Sequence, residues 1–183
     1  MRCGTFVLAA AALLVVAQPA AAQTRDGVMG DLLKDVAQVE QKIIGLAKAM
    51  PESGLAWRPM EGVRSTSEVL LHVASDNYFI PAMLDIAPPA ETGITKDFPS
   101  VEKFEKRTMT REQAVAELEK SFAFLKKSMS ETPDAKLDTP VTVFGMKSTM
   151  RGMWIMATTH LHEHLGQLIA YARSNKVTPP WSK

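Results

Sequence analysis

The stretch that decides the fold is THLHEHLGQLIAYAR, residues 159–173, which carries three of the chain's four histidines. An α-helix turns about 100° per residue, so His160 and His164 lie about 40° apart on one face, while His162 points away from both. Leu168 and other apolar residues share the face of the His160–His164 pair. The stretch therefore predicts a helix whose apolar side, two imidazoles included, faces a protein interior.

Three further segments of the chain repeat apolar residues at three- and four-residue steps, which predicts helices. Two of these segments begin with capping boxes, Ser65 with Glu68 and Thr110 with Gln113. With the histidine helix, the predicted helices span about residues 27–50, 65–87, 110–130 and 149–174.

Strand signals are nearly absent from the sequence. An alternation of Val141 and Val143 allows one short strand, which is too brief to build a sheet on. The predicted fold class is therefore all-α, a four-helix bundle in one domain. The connection over residues 87–109 is too long for a simple hairpin between the second and third helices.

The first 22 residues have the layout of a secretory signal peptide. Arg2 gives a positive start, an apolar stretch follows from Phe6 to Ala17, and small residues at 20–22 precede Gln23. Residues 1–22 are predicted to be removed, leaving a domain of residues 23–183 that is exported to the periplasm or secreted, without membrane attachment. An uncleaved N-terminal anchor is the alternative.

The composition of the predicted mature chain argues against nucleic-acid binding and against cysteine chemistry. Removing Arg2 leaves 20 of the 21 basic residues against 20 acidic ones, so no basic excess points to nucleic acid. Cys3, the only cysteine, lies in the predicted signal. The mature chain therefore has no disulfides, and a metal ion would be held by nitrogen and oxygen ligands.

His72, the fourth histidine, lies in the middle of the second predicted helix, on its apolar stripe with Val69 and Phe79. Buried imidazoles must be hydrogen-bonded or bound to something. The His160–His164 pair can clamp a metal ion, and His72 can supply a third ligand. The other interpretation is that all three are core residues satisfied by packing and hydrogen bonds. His162 is predicted to be a solvated surface residue.

Two stretches of the sequence resemble the DinB/YfiT-like family. THLHEHLGQLIAYARSNKVTPPW (159–181) resembles its last helix, with the pattern H-x-x-x-H-x-G-Q and a proline-rich tail. LAWRPMEGVRSTSEVLLHVASDNYF (55–79) resembles its W-x-P motif and the S-x-x-E-x-x-x-H entry to helix two. The resemblance covers most of the mature chain and keeps the order and spacing of the motifs.

The resemblance implies a four-helix bundle with a divalent metal ion, such as zinc or nickel, held by His72, His160 and His164. Members of the family often form homodimers and include thiol-dependent transferases and isomerases. An exported chain puts thiol transfer in doubt, because the small thiols used by characterised relatives are mainly cytosolic.

Two further polar residues lie near the predicted ligands. Asp76, one helical turn after His72, is predicted to accept a hydrogen bond from an imidazole, to act as a general base, or to form the polar rim of a cleft. Gln167 is predicted to hydrogen-bond behind a ligand, or else to be a buried amide that caps a neighbouring carbonyl.

Three neutral ligands leave positions open for water or substrate, which is typical of a catalytic metal site. The sequence thus predicts a metal-dependent hydrolase or transferase acting on an unidentified small molecule. The alternatives are an exported protein that binds a metal ion without catalysis and a bundle whose histidines are structural.

Overall fold

The computed structural model describes residues 26–182, so the predicted signal peptide lies outside the described residues. Over this range the chain is mostly helical, with six α-helices and one two-stranded hairpin. The elements are α1 (Gly27–Ala49), α2 (Glu52–Leu55), α3 (Thr66–Met83), α4 (Phe98–Glu105), α5 (Arg111–Glu131), β1 (Pro140–Val143), β2 (Met146–Thr149) and α6 (Met150–Ser174). No helix within residues 26–182 is both long enough and apolar enough to cross a membrane.

The four long helices, α1, α3, α5 and α6, are those that the sequence predicts. Both capping boxes are confirmed: the Ser65 hydroxyl accepts the Glu68 backbone N–H, and the Glu68 carboxylate accepts the Ser65 N–H at 2.6 Å. Thr110 and Gln113 form the same reciprocal pair at the start of α5. These bonds satisfy backbone donors that a helix start otherwise leaves unpaired.

The long helices pack around one hydrophobic core. Helix α5 packs against α1 and α3, and α6 packs against the same two helices from the other side. Residues such as Ile43, Phe122 and Trp154 are fully buried where these helices meet. This packing fixes α3 beside α6, which brings the two histidine-bearing helices together.

Helix α4 lies in the long connection, where the sequence predicted no element. It has eight residues, about two turns, which is too short to show a helical period. The Asp97 side chain caps its start by accepting the Ser100 N–H at 2.9 Å. Helix α4 packs against a side of α3 that α5 and α6 leave uncovered. As a result, most residues of α3 are buried.

The alternation at Val141 and Val143 belongs to an antiparallel hairpin of two strands, in which Val143 faces Met146. The prediction of a single short strand was therefore incomplete. The two-residue turn is Phe144–Gly145, with φ of 51° and 76°. Such turns usually carry Asn-Gly or Asp-Gly, so an aromatic residue there conceals the hairpin from sequence reading.

Candidate metal centre

Three imidazoles meet between α3 and α6. His72 comes from α3, and His160 and His164 come from α6; one ring nitrogen from each lies within 4.8 Å of the others. His164 is buried, and the side chains of His72 and His160 are 12% and 26% exposed. We call these three residues the histidine cluster. They can hold a metal ion, because imidazole nitrogen is a favoured ligand of several divalent metals.

The spacing within the cluster suits a shared ion. The Nε2 atoms of His160 and His164 are 3.1 Å apart. Two imidazoles that each lie about 2.0–2.1 Å from one ion have nitrogens about 2.8–3.4 Å apart in octahedral or tetrahedral geometry. The pair on α6 therefore already has the separation that metal binding requires.

Asp76 touches the ligand side of the cluster. Its Oδ2 lies 2.6 Å from Nε2 of His160 and 3.2 Å from Nε2 of His72. The carboxylate is buried, at 9% exposure. The contact is made at the nitrogens that face the centre of the cluster and not behind an imidazole. Asp76 can thus accept a proton at this centre or add an oxygen ligand to it.

Glu105, at the end of α4, holds His72 from behind. Its Oε1 lies 2.6 Å from Nδ1 of His72, and its other oxygen accepts from Nε of Arg64 at 3.1 Å. Burial raises the pKa of Glu105, but the hydrogen bond and charge of His72 and the charge of Arg64 outweigh burial and lower it overall. Sequence reasoning missed Glu105, because nothing local links a residue of the long connection to His72.

A chain of hydrogen bonds holds His164 from behind. Its Nδ1 lies 2.9 Å from Oε1 of Gln167, whose amide N–H donates to the Tyr171 hydroxyl at 3.0 Å. That hydroxyl donates to the Arg64 carbonyl at 3.0 Å, and Trp57 packs edge-on against the Tyr171 ring. With its Nδ1 proton bound by Gln167, His164 presents the Nε2 lone pair to the cluster.

The two clustered histidines of α6, His160 and His164, have opposite pKa shifts. The hydrogen bond to Asp76 raises the pKa of His160 against the effect of burial. Burial lowers the pKa of His164 to about 4. At neutral pH His164 is therefore in the uncharged form that ligates a metal, whereas the Asp76 carboxylate favours the protonated form of His160.

His162 lies outside the cluster, as its helical position predicts. Its side chain is 47% exposed, and Nε2 lies 2.7 Å from Oδ2 of Asp35 on α1. The chain thus contains a surface histidine two residues from each of the clustered histidines of α6.

A pocket of about 380 Å³ opens beside the cluster. One side carries His72, Asp76, His160 and Glu105, which we call the polar wall. Its lining also includes phenylalanines from three different elements, Phe79 of α3, Phe98 of α4 and Phe144 of the hairpin turn, which we call the aromatic wall. A molecule in this pocket would touch two of the clustered histidines.

Comparisons with known proteins concern the family and the fold of the chain. The sequence model of the DinB superfamily matches residues 35–168, a span that includes the whole histidine cluster. No curated protein sequence matches the chain.

Several solved structures have the same fold. A DinB-like protein from Bacillus subtilis is 18% identical, with a TM-score of 0.64 over 84% of this chain and 97% of its own. A DinB-like protein from Bacillus cereus is 19% identical, with a TM-score of 0.63 over 84% and 95%. A conserved protein from Enterococcus faecalis is 14% identical, with a TM-score of 0.68 over 81% and 97%. At these identities the likeness concerns the fold.

Proposed function

The chain belongs to the DinB superfamily, and on this premise we propose that it is a metal-dependent hydrolase or transferase acting on a small molecule. His72, His160 and His164 are the proposed ligands of one divalent ion, zinc, nickel or a similar metal. The observation that carries the proposal is the convergence of three imidazoles from two helices, with one nitrogen of each within 4.8 Å of the others.

The residues behind the cluster support a metal site more than a structural core. Glu105 and Gln167 bind the Nδ1 atoms of His72 and His164, which leaves both Nε2 atoms directed at one point. Such partners are typical of metal-binding histidines, because they fix the ring and its tautomer. A structural imidazole needs no such common orientation with two others.

The polar wall also contains the groups that proton transfer requires. A divalent ion held by three imidazoles would acidify a bound water or orient a substrate atom at its open position. Asp76 is the proposed acceptor of a proton there, a role supported by the position of its Oδ2 beside the Nε2 atoms of His160 and His72. The pocket beside the cluster offers space for a small substrate.

Metal content tests the proposal directly. The full chain, expressed with export, is purified and its metals are measured by plasma mass spectrometry beside the His160→Ala/His164→Ala double variant. We expect about one divalent ion per wild-type chain and none in the variant. A folded wild type that contains no metal and binds no added zinc, nickel or manganese would make the histidines core residues.

The position of Asp76 favours a second candidate, a protein that binds a metal ion without catalysis. If the carboxylate becomes a fourth ligand, the ion has the closed four-ligand shell of a structural site. Azide binding to the cobalt-loaded protein separates the two functions. A shift of the visible spectrum by azide indicates an open position and supports an enzyme. Azide binding that appears only in Asp76→Ala indicates a closed site.

Three further proposals concern the whole protein. We propose that α1, α3, α5 and α6 form a four-helix bundle of the DinB type, supported by their packing around one core. We also propose that the chain is exported, which the signal-like residues 1–22 support. Cell fractionation tests export, and the intact mass of the purified protein tests cleavage before Gln23. Homodimer formation rests on the family resemblance, and light scattering after size exclusion tests it.

A further inference from the structure

We propose that the aromatic wall binds the uncharged, ring-bearing body of the substrate, while the substrate's polar end reaches the histidine cluster. This inference rests on the proposed metal function for the polar end alone. It assigns the class of substrate: a small aryl compound with a metal-binding head.

The dimensions of the pocket fit this class. Its volume of about 380 Å³ lies within the usual range for small-molecule sites. His72 and His160 line it together with Phe79, Phe98 and Phe144. A ligand that fills the space therefore contacts both imidazoles and phenyl rings.

The three rings of the aromatic wall contact one another, with Phe79 and Phe98 tilted by 44° at 5.6 Å and Phe79 almost fully buried. Phe98 and Phe144 stack at 4.7 Å with their planes 20° apart, and Phe79 and Phe144 lie 6.1 Å apart at 24°. Phe98 is 55% exposed and Phe144 is 50% exposed. Exposed apolar side chains that gather beside polar groups mark a ligand-binding surface.

The backbone of Phe144 gives an independent argument. Its φ of 51° lies in the left-handed region, which bulky residues rarely adopt and which hairpin turns usually fill with Asn, Asp or Gly. The turn would form more easily with one of those residues. A large ring kept in an unfavourable conformation over a pocket indicates that the ring serves the pocket.

The charged groups of the pocket favour an uncharged body, because they are already paired. Each charged residue that lines it already has a partner: Arg64 pairs with Glu105 at 3.1 Å, Glu102 with Lys106 at 3.7 Å, and Asp76 with His160 at 2.6 Å. A charged body would lose hydration on entering the pocket and would compete with these partners. An uncharged ring gains burial against the phenylalanines without that cost.

Two hydroxamates that differ only in their body test the inference. Acetohydroxamate and benzohydroxamate are titrated into the cobalt-loaded full chain, and binding is followed by the visible spectrum of the cobalt. We expect benzohydroxamate to bind about tenfold more tightly or better, because its ring is buried. In Phe98→Ala/Phe144→Ala the preference should fall to about threefold or less.

Met146→Ala is the matched control. Met146 lies in the same hairpin, is 66% exposed and does not line the pocket. Its variant should keep the full preference for benzohydroxamate. If the double phenylalanine variant prefers benzohydroxamate as strongly as wild type does, the inference is overturned. That result would leave the proposed metal site unaffected. Circular dichroism checks folding, and Phe144→Ser replaces the double variant if that variant fails to fold.

A wild-type protein that gives no visible spectrum of bound cobalt would contradict the proposed metal function. It would not test whether the aromatic wall binds a ring. In that case saturation-transfer NMR with 2-naphthol on chelator-treated protein decides. Transfer in wild type that disappears in the double variant supports the inference. Transfer that is absent from wild type, or unchanged in the variant, overturns it.

Discussion

The polar wall and the aromatic wall of the pocket are held by different interactions. In the polar wall, His72, His160 and their acidic partners form hydrogen bonds of 2.6 Å between part-buried groups, and each bond has one direction. In the aromatic wall, Phe98 and Phe144 make non-directional ring contacts while half exposed. Loss of a directional bond leaves a buried polar partner unsatisfied, whereas loss of an exposed ring removes only contact area. Substitutions in the first wall should therefore have large effects, and those in the second should have graded ones.

The largest expected effect is the loss of a ligand. His164→Ala should weaken zinc binding more than about 100-fold, beyond what loss of a residue behind a ligand costs. The reason is that two ligands hold a divalent ion poorly. Isothermal titration with zinc at neutral pH measures the change.

His162→Ala is the control for this prediction, because His162 lies in the same helix and contacts Asp35 on the surface instead of the cluster. Its zinc affinity should equal that of wild type. Equal losses in the two variants would mean that a surface histidine matters as much to zinc binding as a clustered one, and that the cluster has no special role.

The next effect concerns the support of His72 by Glu105. Glu105→Ala should weaken zinc binding about 10- to 100-fold, because the imidazole loses the acceptor that fixes its tautomer. Glu102→Ala, three residues earlier in α4 and 69% exposed, should leave the affinity unchanged. Competition with a chromophoric chelator measures both variants. An unaltered affinity in Glu105→Ala would make the contact with Glu105 irrelevant to metal binding.

The third effect concerns the pH dependence of stability in the metal-free protein. Burial lowers the pKa of His164 to about 4, against an ordinary value of 6.5. Between these values the unfolded chain binds more protons than the folded one, so stability is full above pH 6.5 and falls as the pH drops toward 4. At pH 5 the loss from this residue alone is about 2 kcal/mol.

The measurement is urea unfolding in the presence of a chelator, at pH 8 and pH 5, for wild type and His164→Asn. The variant should lose less stability between the two pH values than wild type does. His160 acts in the opposite direction: its pKa is raised, so its contribution is present in acid and disappears as the pH rises through the folded value. The same pH dependence in both proteins would contradict a neutral, buried His164.

The two walls also differ in how far the sequence predicts them. The period of α6 places His160 and His164 on one inward face, and the capping box at Ser65 sets the start of α3, so that His72 also points inward. One-turn spacing similarly predicts Asp76 beside His72. The nitrogen that Asp76 contacts depends on how α3 and α6 pack, which no local pattern encodes.

The remainder of the pocket comes from connections, where sequence patterns are weak. Glu105 and Phe98 lie on α4, a helix of two turns whose position is set by packing against α3. Phe144 occupies a turn position where its residue type is unusual, so the hairpin carries no turn signal. Long-range packing, and not local propensity, builds the aromatic wall.

The smallest expected effect is that of Phe144→Asn on stability. Asparagine adopts the left-handed conformation of this turn more readily than phenylalanine, while the variant loses stacking against Phe98. The two contributions oppose each other, so the free energy of unfolding should change by less than about 1 kcal/mol in either direction. Chemical denaturation measures it, with Phe104→Ala as the contrast, because that fully buried ring should cost about 3 kcal/mol or more. A loss of similar size at Phe144 would mean that the aromatic wall holds the fold together, and the distinction between the two walls would then fail.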